Sequence, residues 1–144
     1  MPRVVASRVL LAPREDVWRF LAEPFHFSDW WPGVRGVEPD RRGLQPGARW
    51  RLTTGGQMGG FVGGFIRRPE SSETLVVLEV RPPERVRVLF ATDGVEAEIT
   101  LEPAKDSRTR ATVLLDGSWL RVNRAVPRKA LNRLYALCQT AAEL

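Results

Sequence analysis

The sequence predicts one α+β domain in which a curved, seven-stranded antiparallel sheet closes around a long C-terminal helix. Three observations carry this. A first strand pattern is followed at once by two short helices within residues 12–34, six further strand patterns then run without a helical interruption, and the last segment is strongly amphipathic. One sheet with three helices to cover it tends to enclose a space, and a space is where function would sit.

Each element has a local reason. Residues 4–11 are apolar and β-branched and read as the first strand. Pro13 suits the first helical position, where its missing N–H costs nothing, and Glu15 and Asp16 favour the positive end of the helix dipole. Val17, Phe20 and Leu21 recur at i, i+3 and i+4 to give a narrow apolar face, which Pro24 ends. Residues 25–31 form a second short helix, closed by Trp31-Pro32-Gly33.

The strands follow. Residues 34–38 make a short one, and then Ala48, Trp50 and Leu52 alternate with Arg49, Arg51 and Thr53, the pattern of a half-buried antiparallel strand. Strands over 74–80, 84–90, 95–102 and 109–116 are separated by Arg81-Pro82-Pro83, by Ala91-Thr92-Asp93-Gly94 and by Lys105-Asp106-Ser107, so they form a meander. Alternation turns Val95, Ala97, Ile99 and Leu101 inward, with Ala111, Val113 and Leu115 on the next strand. Finally Ala130, Leu131, Leu134, Leu137, Cys138 and Ala141 share one helical face, opposite Arg128, Lys129, Asn132 and Arg133. That stripe needs the concave face of the sheet to cover it.

Composition bounds the function. With 144 residues the chain reads as a single domain over 1–144, and no linker or repeat divides it. No apolar leader or membrane-length stretch is present, so no transmembrane segment is expected and the cytoplasm is the default location. Cys138 is the lone cysteine, which excludes an internal disulfide and all multi-cysteine metal motifs. The net charge of +5 invites a nucleic-acid reading, but the 20 Arg and 2 Lys are scattered in runs no longer than two, with acidic residues between them. A phosphate-binding surface needs a contiguous basic stripe. The expectation is therefore a solvated charged face and no nucleic acid.

The catalytic inventory is thin. His26 is the only histidine and Tyr135 the only tyrosine. Ser28 and Asp29 lie too close in sequence to His26 for a relay in which the acid holds the far ring nitrogen, so His26 is expected to make a helix-end or surface hydrogen bond. No ligand spacing for a metal appears, and no cofactor is expected. Glu79 and Asp116 are the candidates for a buried base, although alternation favours exposed or strand-end places for both. The stretch from Thr54 to Phe65 carries six glycines but matches neither the dinucleotide pattern nor the P-loop. It reads as a loop or a glycine-broken strand, or as a flap with Met58, Phe61 and Phe65 closing over a ligand.

The aromatic residues speak for a pocket. Trp30, Trp50, Phe90, Trp119 and Tyr135, with Met58, Phe61 and Phe65, are the candidate wall, and Leu131, Leu134 and Cys138 face them from the last helix. Trp18 and Phe20 read as core filling, and Tyr135 or Arg51 as a polar group that orients the ligand.

The order β-α-α-β6-α resembles the helix-grip fold of the START-like superfamily (SRPBCC), which includes Bet v 1 relatives and polyketide cyclase/dehydrase-like proteins. The resemblance spans essentially the whole chain. It rests on Ala12-Pro13 with Val17-Trp18, on Trp30-Trp31-Pro32-Gly33-Val34, on Pro46-Gly47-Ala48-Arg49-Trp50, and on Val80-Arg81-Pro82-Pro83-Glu84-Arg85. It implies a hydrophobic cavity between sheet and helix, in a group whose members carry lipids, bind quinones, cyclise polyketides or bind partners. The fold cannot choose among these. The poor catalytic inventory favours carriage or sensing of a hydrophobic small molecule such as a lipid, quinone or polyketide. The alternatives are a polyketide cyclase/dehydratase-type enzyme, for which orientation alone supplies much of the rate, and a protein- or ribosome-interaction module. The oligomeric state stays open.

Overall fold

The computed structural model describes residues 3–55, 71–118 and 122–143. β1 (Arg3–Leu10) leads into α1 (Arg14–Ala22), a 3-10 turn over Pro24–His26 and α2 (Phe27–Trp30). Then come β2 (Val34–Glu38), β3 (Arg49–Thr54), β4 (Ser71–Arg81), β5 (Arg85–Phe90), β6 (Val95–Ala104) and β7 (Arg108–Asp116), and α3 (Val126–Glu143) ends the chain. The strands form one seven-stranded sheet in the order β1-β7-β6-β5-β4-β3-β2, antiparallel throughout. This is the α+β helix-grip arrangement that the sequence predicts.

Small differences have local causes. Pro13 stands one residue before α1 in extended conformation, and its carbonyl accepts the N–H groups of Asp16 and Val17. The second helix opens as a 3-10 turn in which the His26 N–H donates to the Glu23 carbonyl at 3.0 Å, while the Glu23 carboxylate accepts from the Phe25 N–H at 3.3 Å. β4 begins at Ser71, earlier than alternation alone indicated. In the loop before β3, Gly47 has φ +87, a left-handed backbone that suits glycine, and its N–H donates to Val77 at 2.8 Å.

The core lies between the concave sheet face and the helices. Val95, Ala97, Ile99 and Leu101 of β6 and Ala111, Val113 and Leu115 of β7 are all buried, as the alternation requires. Val17 and Leu21 of α1 are buried, and Ala130, Leu131, Leu134 and Cys138 form the buried stripe of α3. That helix packs against β1, β7 and α2. Trp18 and Phe20 are only partly buried against this core. Among the described residues no helix is long and apolar enough to cross a membrane.

Candidate functional site

The interior divides into two halves. Beneath α2, Phe27 meets Trp50 of β3 and Phe90 of β5, Trp31 also meets Phe90, and Trp30 packs on Phe27 and Trp31. Register explains the meeting, because Trp50 pairs with Leu75 and Leu75 with Phe90, which places the two rings on one row of the sheet. Phe27 lies between them, with its ring centroid 6.0 Å from Trp50 and 6.4 Å from Phe90. Trp31 stacks on Phe27 at 5.3 Å and Trp30 stands edge-on to it at 5.2 Å. Such offset and edge arrangements suit the ring quadrupoles. Beneath α3 the lining is aliphatic, with Leu131 and Leu134 of the helix buried over the sheet.

So Trp50 and Phe90 come together around Phe27, Trp30 joins them through Phe27 and Trp31, and Leu131 and Leu134 are buried on α3. Cys138 lies nearer the far end of that helix. Tyr135 turns to the sheet edge, where the Arg8 guanidinium sits 3.8 Å over its ring and also donates to Asn132 Oδ1. These contacts pin α3 to β1. Met58, Phe61, Phe65 and Trp119 lie outside the described residues. Arg51 points away from the interior, with its side chain 72% exposed and 3.9 Å from Glu38, so it cannot orient a ligand there.

Polar groups on the inner face are few. Thr54, Glu73 and Thr109 are the buried polar residues among those described. Thr109 Oγ1 donates to the Ala12 carbonyl at 2.7 Å and fastens the start of β7 to the β1–α1 junction. Glu73, which sequence reasoning passed over, is in phase with the inward Leu75 and Val77 and pairs with Leu52. Its Oε1 accepts the Thr74 N–H at 2.9 Å and the Thr92 N–H at 2.7 Å, clamping the β5–β6 turn. A carboxylate two residues before Leu75 was the signal, hidden because the strand pattern was begun at Thr74.

Glu79 is different. The register shifts between Val77 and Glu79, so Leu78 is an extra residue and Glu79 pairs with Arg87 on the outer face. There it meets Arg81 at 2.8 Å, Arg87 at 3.6 Å and Arg85 at 4.0 Å. Asp116 ends β7 beside Arg3, at 3.4 Å. Neither is placed to act as a base within the grip. His26 Nδ1 lies 3.0 Å from Asp29 Oδ2 on the surface, the local hydrogen bond expected from its spacing.

Between α1 and the last turns of α3 lies a cleft of about 500 Å³, with Ala12, Phe20 and Cys138 on its floor and Asp16, Arg19 and His26 on its rim. The Arg19 side chain is 83% exposed and Asp16 52%, so this is a surface feature. Burial, and then the Asp16 charge, push the Cys138 thiol up to about 11, which keeps it protonated and a poor nucleophile. Elsewhere the Arg49 N–H holds the Asp40 carboxyl below its usual range, and the Arg42 N–H bonds its other oxygen. That carboxylate orders the loop whose Gly43 carbonyl accepts the Trp50 indole N–H at 2.8 Å. Among the described residues no three His, Cys, Asp or Glu side chains gather as a metal site.

Comparison with known proteins agrees with this geometry. Residues 1–139 match the profile described as polyketide cyclase / dehydrase and lipid transport. The AHSA1-like protein of Aeromonas hydrophila is similar in structure, with TM-score 0.73 and 15% identity, covering 98% of this chain and 94% of that one. Protein XoxI of Bacillus cereus gives TM-score 0.71 at 11% identity, covering 99% of both chains. Protein NE0264 of Nitrosomonas europaea gives 0.69 at 18% identity, covering 96% of this chain and 95% of that one. At these identities the likeness is one of fold. No curated protein sequence matches the chain.

Proposed function

The chain belongs to the polyketide cyclase / dehydrase and lipid transport family, and from that premise we propose that it binds a hydrophobic small molecule between the sheet and helices α2 and α3. Family and fold are consistent with such binding; the ligand is the proposal's own step. One observation carries it. The inner face is built of aromatic and aliphatic side chains, and its buried polar residues among those described number three, Thr54, Glu73 and Thr109. A lining of that kind offers apolar contact almost everywhere and polar contact at a few fixed points, which suits a lipid, isoprenoid, quinone or polyketide. Binding is driven by apolar area removed from water, at roughly 25 cal/mol per Å² before ordering costs. The protein then carries or senses its ligand in the cytoplasm.

The candidate contacts are Trp30, Trp50, Phe90, Leu131 and Leu134. Of the other expected residues, Tyr135 serves the α3–β1 contact and Cys138 the outer cleft. Native mass spectrometry of protein purified from its own host, followed by solvent extraction, tests the reading. A co-purifying apolar molecule is the expected result. No such molecule, together with unquenched tryptophan emission across quinones, acyl chains and polyketides, would overturn it.

A second reading has one observation in its favour. Glu73 is the buried carboxylate of the inner face, so a cyclisation or dehydration that needs a single base has a group to use. Its Oε1 is already held by two backbone N–H groups, which favours a clamp over a proton carrier. Turnover of a poly-β-keto substrate that Glu73→Gln abolishes, in a variant of unchanged melting temperature, would establish the enzyme.

A further inference from the structure

The cleft between α1 and the end of α3 lies apart from the interior, and its volume of about 500 Å³ falls in the range that holds a small molecule. Leu11, Ala12, Phe20, Cys138 and Ala141 give it an apolar lining. The Cys138 thiol belongs to that lining, because with its proton kept on it behaves as a small hydrophobe. The floor is held from below. Thr109 Oγ1 donates to the Ala12 carbonyl at 2.7 Å, and the Pro13 carbonyl accepts the N–H groups of Asp16 and Val17.

The rim carries both signs of charge, unequally committed. His26 Nδ1 is taken by Asp29 Oδ2 at 3.0 Å, and its ring meets Phe20 edge-on at 5.5 Å, so it continues the apolar wall. Arg19 Nη1 stands 4.0 Å from Asp16 Oδ1, the outer limit of an ion pair, with both side chains more than half exposed. A guanidinium has five N–H groups, and this one meets a single distant carboxylate among the described residues. It is the rim group with donors to spare.

We propose that this cleft is a second binding site, for a small amphiphile whose apolar body lies on Ala12, Phe20 and Ala141 and whose carboxylate meets Arg19. The chemistry selects the carboxylate. A planar guanidinium matches its two oxygens. A neutral ligand leaves those donors to water, and a cationic one has only Asp16 to meet, with Arg19 beside it. The walls come from the β1–α1 junction, α1 and α3, so a bound molecule ties the end of α3 to α1. This site stands independently of the interior ligand.

NMR titration of the full chain with 2-naphthoate and 2-naphthamide, which differ in charge and hardly in shape, tests this. Naphthoate is expected to shift the Ala12 and Ala141 methyl signals and the Phe20 ring. It should bind about threefold to tenfold tighter than the amide, the span of one partly solvated charged contact. Arg19→Gln removes the charge from a side chain that is 83% exposed, and is expected to bring the two affinities to within about twofold. Asp16→Asn removes the competing carboxylate; it is expected to strengthen naphthoate about twofold and leave the amide unchanged, a gain that a merely structural ion pair would not give. Ala141→Phe fills the cleft from an exposed position on α3 and is expected to abolish both. Equal affinities in the wild type, a preference that survives Arg19→Gln, tighter binding of 2-naphthylmethylamine than of naphthoate, or binding of none of the three overturns the proposal. Naphthoate shifts confined to Phe27 and Leu134 overturn it too, and leave the interior reading standing.

Discussion

The two halves of the interior are equally buried but differ in chemistry. Under α3 the contacts are Leu131 and Leu134 over β1 and β7, side chains that offer volume and no hydrogen bonds. Under α2 they are five aromatic side chains, of which Trp30, Trp31 and Trp50 each bear an indole N–H at one edge. Aliphatic packing is non-directional and holds the helix on the sheet wherever the volumes match. Rings with a polar edge fix orientation as well. The α3 half therefore supplies non-directional packing, and the α2 half adds directional contacts.

Substitutions can break that contrast. The largest effect is expected from Leu134→Ala, which empties a fully buried site and should cost about 2–5 kcal/mol in urea unfolding. Glu73→Ala should cost about 1–3 kcal/mol, because it leaves the Thr92 N–H without its acceptor, and hydrogen exchange at the Thr92 amide should speed up. Trp50→Phe should cost about 1–2 kcal/mol through the lost bond to Gly43 and the smaller ring. Trp30 Nε1 has no acceptor among the described residues, so a Trp50→Phe effect no larger than that of Trp30→Phe would remove the contribution assigned to the bond with Gly43.

The smallest effect lies at Cys138. Its thiol titrates near 11 in the folded chain against an ordinary value of 9.0. At pH 8 the folded protein should hold roughly 100-fold less thiolate than the unfolded chain, and iodoacetamide should label it correspondingly slowly. The folded state keeps the proton longer, so this contribution to stability is intact below pH 9 and is lost as the pH rises towards 11. Cys138→Ala should flatten that decline, as followed by melting temperature from pH 8 to 11.

Much of this was legible in the sequence. Alternation in β6 and β7 and the spacing of α3 each have a single outcome once one face must be buried. The inward turn of Trp50 followed from the same rule. Glu79 lies on the outer face as expected, but by way of the extra residue at Leu78, which reverses the phase of β4 after Val77, and a bulge has no signature in a run such as Leu75-Val76-Val77-Leu78. Arg51 was legible as outward by alternation, and its suggested role in orienting a ligand went against that pattern. Tyr135 met Arg8, more than a hundred residues away in the chain, a contact that only the β1–α3 packing creates. The place of the Trp50 donor, held by the Gly43 carbonyl across the loop before β3, likewise has no trace in local pattern.

The most direct test is where an apolar probe settles. In intermolecular NOE spectra with 9-fluorenone, contacts are expected to Phe27, Trp30 and Leu131. Contacts instead to Ala12, Phe20 and Ala141, which line the cleft between α1 and α3, would place binding on the outside and contradict the interior site.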